Sequence, residues 1–168
     1  MKYLILSLSF LAALITFSAC EPISLNADVD YYLEFTDSKQ VDQLGFSFTG
    51  ARALQVFEDG SEAIRTVYLS ETPFTVDFAE PVEPLLLGSS DIEPSAIKSL
   101  DLFWSEVSVT FKGEKLALDY EALSTHEAVI DFAAQEKKTV TLILDLDASF
   151  IEQPNGSFIF KPVISLKQ

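Results

Sequence analysis

Ala51-Arg-Ala-Leu-Gln-Val-Phe-Glu-Asp-Gly60-Ser-Glu-Ala-Ile-Arg-Thr-Val-Tyr-Leu-Ser70 is the stretch that decides the fold class. Two apolar-rich runs, Ala51–Glu58 and Ala63–Ser70, flank Asp59-Gly60. Asp-Gly between such runs is a strong hairpin signal, because both residues accept the positive φ that a tight turn demands. Upstream, Val29, Tyr31, Leu33 and Phe35 alternate with Asp30, Tyr32, Glu34 and Thr36. A period of two puts one set on each face of a half-buried strand. Downstream, Phe74, Val76 and Phe78 alternate again before Pro81 and Pro84 interrupt. Leu85–Leu87 then leads into Gly88-Ser89-Ser90, which reads as a loop.

The second half repeats the logic. Phe103, Val107, Val109 and Phe111 are expected on one strand face, with Trp104 opposite beside Glu106, Ser108 and Thr110. Lys112-Gly113 turns toward Leu116, Leu118 and Tyr120, and Ala128, Ile130 and Phe132 follow. Val140, Leu142, Leu144 and Leu146 alternate with polar residues through Asp147. Asn155-Gly156 closes a last hairpin into Phe158–Leu166, where Pro162 marks an edge or a bulge. Helix is expected only as a turn or two at Glu93–Ser99 and Tyr120–His126. Many short strands separated by regular turn signals specify an all-β chain, an antiparallel β-sandwich of seven to ten short strands with little helix.

The N-terminus has a different character. Lys2 is followed by Tyr3 to Ala19 without a charge, a basic start and an apolar run that mark a secretory signal. The run is slightly short for a membrane span, which needs about 20 apolar residues. Phe17-Ser18-Ala19-Cys20 resembles a bacterial lipobox, which implies cleavage before Cys20, the chain's single cysteine, and attachment of lipid to its sulfur. The expected domains are therefore a signal peptide over 1–19, a lipidated tether over 20–28 and a β-sandwich over 29–168. One acyl chain holds a protein only marginally, at about 0.8 kcal/mol per buried CH₂, so the two or three chains of a lipoprotein are what make a stable anchor. The expected location is the bacterial cell envelope, lipid-anchored to the inner or outer membrane, periplasmic or surface-exposed.

Composition narrows the partners. The 168-residue chain carries 26 acidic and 11 basic residues, a net charge of −15. That sign is wrong for the phosphates of nucleic acid and for anionic lipid. With Cys20 committed to lipid, no thiol remains for a disulfide, redox chemistry or a thiolate metal site.

Lys138-Thr-Val-Thr-Leu-Ile-Leu-Asp-Leu-Asp-Ala-Ser-Phe150, followed by Asn155-Gly-Ser-Phe-Ile-Phe-Lys-Pro-Val-Ile164, resembles the C-terminal pattern of the DUF4382 family of bacterial lipoproteins. In that pattern a threonine-rich strand, an acidic segment, an Asn-Gly turn and a Lys-Pro-Val-Ile strand come in the same order. The resemblance implies a β-sandwich lipoprotein and carries no catalytic residues, since the family has no assigned activity.

Residues able to carry chemistry are few. His126 is the single histidine, and no Gly-x-Ser-x-Gly, HExxH or Cys/His cluster accompanies it, so it reads as an ordinary surface or loop residue. The chain is accordingly read as a non-enzyme, with a hydrolase of envelope or extracellular material as the disfavoured alternative. Asp145 and Asp147 share an expected strand face and, with Asp131 or Glu152, form a candidate calcium site; a solvated face looks the same. No cofactor is expected beyond the lipid and that candidate calcium. Trp104 is the candidate contact residue, because a tryptophan on a polar face can stack on a sugar or anchor a protein. The functional expectation is a binding or envelope-structural module with a protein or glycan partner, with a calcium-binding accessory module as the alternative.

Overall fold

The computed structural model describes residues 25–116 and 118–167. Within them the chain forms β1 (Ala27–Phe35), β2 (Val41–Val56), β3 (Glu62–Val67), β4 (Phe74–Asp77), β5 (Leu85–Ile92) and β6 (Ser95–Phe111). It continues through β7 (Glu114–Leu116), β8 (Leu118–Tyr120), β9 (Leu123–Phe132) and β10 (Lys137–Leu144). One helical turn, α1 (Leu146–Ser149), precedes β11 (Phe150–Glu152), β12 (Phe158–Phe160) and β13 (Ile164–Leu166). The all-β sandwich expected from the alternation is what forms. It has thirteen strands among the described residues, and two of them, β2 and β6, are 16 and 17 residues long. Cys20 and the leader lie outside the described residues. Ala27, in the segment read as tether, is already fully buried at the start of β1.

Two main sheets face each other. One has the order β13-β10-β1-β5; the other runs β3-β2-β6, with β4 beside β2 and β7 and β9 beside β6. Most neighbours are antiparallel, but β1 and β10 pair in parallel over Asp28↔Lys137 to Phe35↔Leu144. A third, small sheet of β11-β12-β8 closes one end. The core fills the space between the inner faces, with Val29, Tyr31 and Leu33 from one sheet against Leu44, Phe46 and Leu102 from the other.

Three turns follow from their residues. Gly60 has φ 81°, and Ser61 donates its backbone N–H to Asp59 Oδ1 at 2.9 Å. Asn155-Gly156-Ser157 repeats the device, with Gly156 at φ 81° and Ser157 N bonded to Asn155 Oδ1 at 3.0 Å. Lys112 and Gly113 both have positive φ, 51° and 81°, the requirement of a two-residue hairpin turn between β6 and β7.

Several segments differ from the local reading. Gly88-Ser89-Ser90 continues β5 because each residue finds a partner on β1. Glycine is needed there for space: a Cβ on Gly88 would lie 2.4 Å from the carbonyl oxygen of Tyr68. The helical turns expected at Glu93–Ser99 and Tyr120–His126 are absent, since β6 begins at Ser95 and β9 at Leu123, pairing with each other. Phe158–Leu166 is split into β12 and β13, with Pro162 in the link between them.

Candidate functional site

Trp104 is the first expectation that the structure corrects. It is 2 % exposed and its ring is enclosed by core phenylalanines, so it offers no face to a ligand. Its ring packs on Phe48 at 4.7 Å, Phe160 at 5.3 Å and Phe46 at 5.4 Å between centroids. Its Nε1–H donates to Ser124 Oγ at 2.7 Å, so the indole's polar edge is satisfied inside the core. The reason is a change of phase along β6. Leu100, Leu102 and Trp104 point inward, and so do Val107 and Val109, three and five residues later. Glu106 between them has φ 52° and is the extra residue of a bulge, with Ser105 opposite Ser47 but Ser108 opposite Gly45. One unpaired residue reverses which face every later side chain occupies.

Asp145 and Asp147 are corrected for a similar reason. β10 ends at Leu144, so the two carboxylates do not share a strand face. Asp145 is the N-cap of α1, accepting from Ala148 N at 3.0 Å. Asp147 accepts from the Ser38 hydroxyl at 2.7 Å. No group of three or more His, Cys, Asp or Glu side chains converges on one point among the described residues. The acidic motif instead ties the chain to itself. Asp145 N donates to Val163 O at 2.9 Å, Val163 N donates to Ser149 Oγ at 2.9 Å, and Leu146 N donates to Thr36 Oγ1 at 3.0 Å.

His126 lies on β9 and is half-buried rather than in an exposed loop. Burial lowers its pKa below the ordinary imidazole value, against smaller opposing effects from the Ile164 backbone and Asp101. It therefore sits where β9 and β13, edge strands of the two main sheets, approach each other.

The opposite edges, β3 and β5, flank a candidate site. Between β3 and β4, which both lie beside β2, the chain runs against β5, where Ser70 N donates to Leu87 O at 2.6 Å. Beside this contact lies an open cleft of about 430 Å³ lined by Gln55, Ile64, Arg65, Tyr68, Asp91 and Glu93, among others. That volume is in the range of small-ligand sites. Tyr68 and Ile64 are 72 % and 66 % exposed, large apolar surfaces that the fold leaves uncovered. Arg65 and Glu93 form a long ion pair, 3.5 Å, at the surface.

Gln55 gives the cleft its chemistry. It is 2 % exposed, and its Oε1 has no hydrogen-bond partner. An unpaired buried acceptor costs about 1–3 kcal/mol. Three other buried atoms share that condition among the described residues: Tyr31 Oη, Ser90 Oγ and His126 Nε2. Tyr31 has the Ser90 hydroxyl beside it, and burial pushes its phenol up to about 12. Gln55 is the one that is over nine-tenths buried and lines an open cleft. The sequence carried a trace of it: Ala51, Ala53 and Gln55 share one face, and an amide ends a row of small apolar residues. Nothing local marked Tyr68, whose exposure depends on the path of the chain between β3 and β4.

No family model matches this chain. No curated protein matches it either. Among solved structures it is similar to a proposed cell adhesion protein of Bacteroides fragilis, at 10 % identity and a TM-score of 0.39, covering 87 % of this chain and 46 % of that one. A second proposed cell adhesion protein, from Bacteroides ovatus, gives 10 % identity and a TM-score of 0.29, covering 85 % of this chain and 44 % of that one. The chain thus spans about half the length of these two proteins. A protein from Eubacterium rectale gives 12 % identity and a TM-score of 0.19 over 89 % of this chain and 96 % of that one.

Proposed function

We propose that this chain is an exported, lipid-anchored β-sandwich whose work is binding in the cell envelope, through the cleft between β3 and β5. The observation that carries the reading is Gln55, a buried amide with an unpaired oxygen, lining a cleft that the exposed Tyr68 also lines. A fold stabilises itself by pairing its buried polar groups, so an unpaired one at an open cleft is an anomaly that a ligand can remove. The reading is non-catalytic. The single histidine sits on β9, on the far edge of its sheet from β3, and the acidic motif around Asp145 is occupied with holding α1 and the Val163 backbone. The anchor rests on the lipobox-like Phe17–Cys20. Membership of the DUF4382 family is part of the same proposal and rests on the Lys138–Ile164 pattern.

Two measurements test it. Radiolabelled palmitate is expected in the wild-type protein and absent from Cys20→Ala, with protease shaving of intact cells reporting the exposed face. Labelling in neither form removes the anchor. For binding, full chain solubilised in detergent is expected to stay on an isolated envelope fraction, and Tyr68→Ala to be released at an unchanged melting temperature. Equal retention of both forms would assign the cleft no role.

A further inference from the structure

We infer that the cleft between β3 and β5 takes a neutral saccharide, with one pyranose ring against Tyr68 and its hydroxyls paired to Gln55 and the charged rim; this deepens the binding reading above and rests on it. A pyranose presents an apolar face of C–H groups and a rim of hydroxyls that each donate and accept. The cleft offers the complement of both. Tyr68 supplies an aromatic surface, 72 % exposed. The same cleft is lined by Gln55, whose Oε1 is an acceptor with no partner, by Asp91 and Glu93, which carry acceptor carboxylates, and by Arg65, which carries a donor guanidinium. Donors and acceptors that line one cleft together with an aromatic residue match vicinal hydroxyls.

Other ligand classes fit less well. An acidic polymer meets Asp91 and Glu93 against one Arg65, on a chain of net charge −15. A metal ion would need a convergent group of three ligating side chains, which the described residues do not form. An amphipathic helix needs a continuous apolar groove, and here Ile64 and Tyr68 stand among polar and charged neighbours. The Arg65–Glu93 pair does not close the site, because at 3.5 Å and about half exposed on both sides it is held weakly and can re-form around a hydroxyl.

The test is calorimetric titration of the full chain in detergent with maltohexaose, cellohexaose, mannohexaose and xylohexaose, with polygalacturonate as the acidic counterpart. At least one neutral oligosaccharide is expected to bind, and polygalacturonate is not. Tyr68→Ala should weaken that binding about tenfold, while Tyr68→Phe, which keeps the ring, should stay within about threefold. Gln55→Leu separates ligand binding from folding. It removes an unpaired buried acceptor, so its melting temperature should hold or rise while its binding falls. Absence of binding to every neutral sugar, or binding indifferent to Tyr68→Ala, overturns the inference. Peptides selected from a displayed library that require Tyr68 would overturn the saccharide and leave the binding module standing. No sugar and no peptide would take down both.

Discussion

Trp104 and Tyr31 are two large side chains almost fully enclosed by the core, each with a polar atom to accommodate. Trp104 resolves its N–H on Ser124 and spends its ring on three phenylalanines. Replacing it with alanine removes those contacts and strands the Ser124 hydroxyl, so Trp104→Ala should lose about 3–5 kcal/mol in urea unfolding. A near-native midpoint would mean that the indole is not the centre of the core. Tyr31 makes a different prediction, in pH. Its phenol is raised from 10.0 to about 12 by burial, so the folded state holds the proton more tightly than the unfolded one. That stability is complete below pH 10 and is lost as pH climbs toward about 12. Two units correspond to roughly 2–3 kcal/mol. In Tyr31→Phe the alkaline decline across that window should shrink, and an unchanged decline would assign it to other groups.

At the scale of the strand, the bulge at Glu106 decides more than any single contact. It lets β6 bury Leu102 and Trp104 on one phase and Val107 and Val109 on the other while pairing with β2 throughout. Deleting Glu106 would restore strict alternation and turn one of those two sets into solvent, so the deletion should abolish folding, seen as loss of near-UV circular dichroism. Glu106→Gly keeps the bulge and relieves the positive φ of 52°, so it should fold with wild-type stability or slightly better. A folded deletion variant would show that the register can slip without cost. Gly88→Ala belongs to the same scale. Its Cβ meets the Tyr68 carbonyl and lies 2.9 Å from Leu69 Cα, both backbone, so the segment between β3 and β4 must move. A loss of about 1–3 kcal/mol is expected from such overpacking.

These devices explain which parts of the molecule were legible. Alternation named β1, β4 and β10 correctly, because no bulge interrupts their side-chain period. The Asp59-Gly60 and Asn155-Gly156 turns were legible because the turn chemistry is local. Trp104 was not, since one inserted residue reverses a face and leaves no mark in composition. Asp145 and Asp147 read as strand because Leu142, Leu144 and Leu146 stay in phase, and Leu146 is buried although it belongs to α1. The cleft was not legible, since one wall carries the buried amide Gln55 on β2 and the other comes from β5, over thirty positions later in the chain.

At the scale of the whole molecule, charge acts against the topology. The sheet containing β1 closes only when β10 arrives from over a hundred residues away and sets Lys137 opposite Asp28, whereas β5 on the other side brings carboxylates together. Asp28 stands directly opposite Asp91 across the β1/β5 pair, with Asp30 two positions along. Like charges directly opposite on a sheet oppose its formation. The ion pairs on the described surface, such as Lys98–Glu62 at 2.7 Å, involve half-exposed side chains and each contributes about 0–1 kcal/mol. With a net charge of −15, repulsion outweighs them. Raising sodium chloride from about 0.01 M to about 1 M shortens the screening length from about 30 Å to about 3 Å. The urea midpoint should therefore rise with salt at pH 7. Asp91→Asn should raise it by up to about 1 kcal/mol at low salt, and that gain should fade as salt increases. A midpoint that falls with salt would mean instead that the surface ion pairs dominate, and Asp91→Asn would then give no low-salt gain.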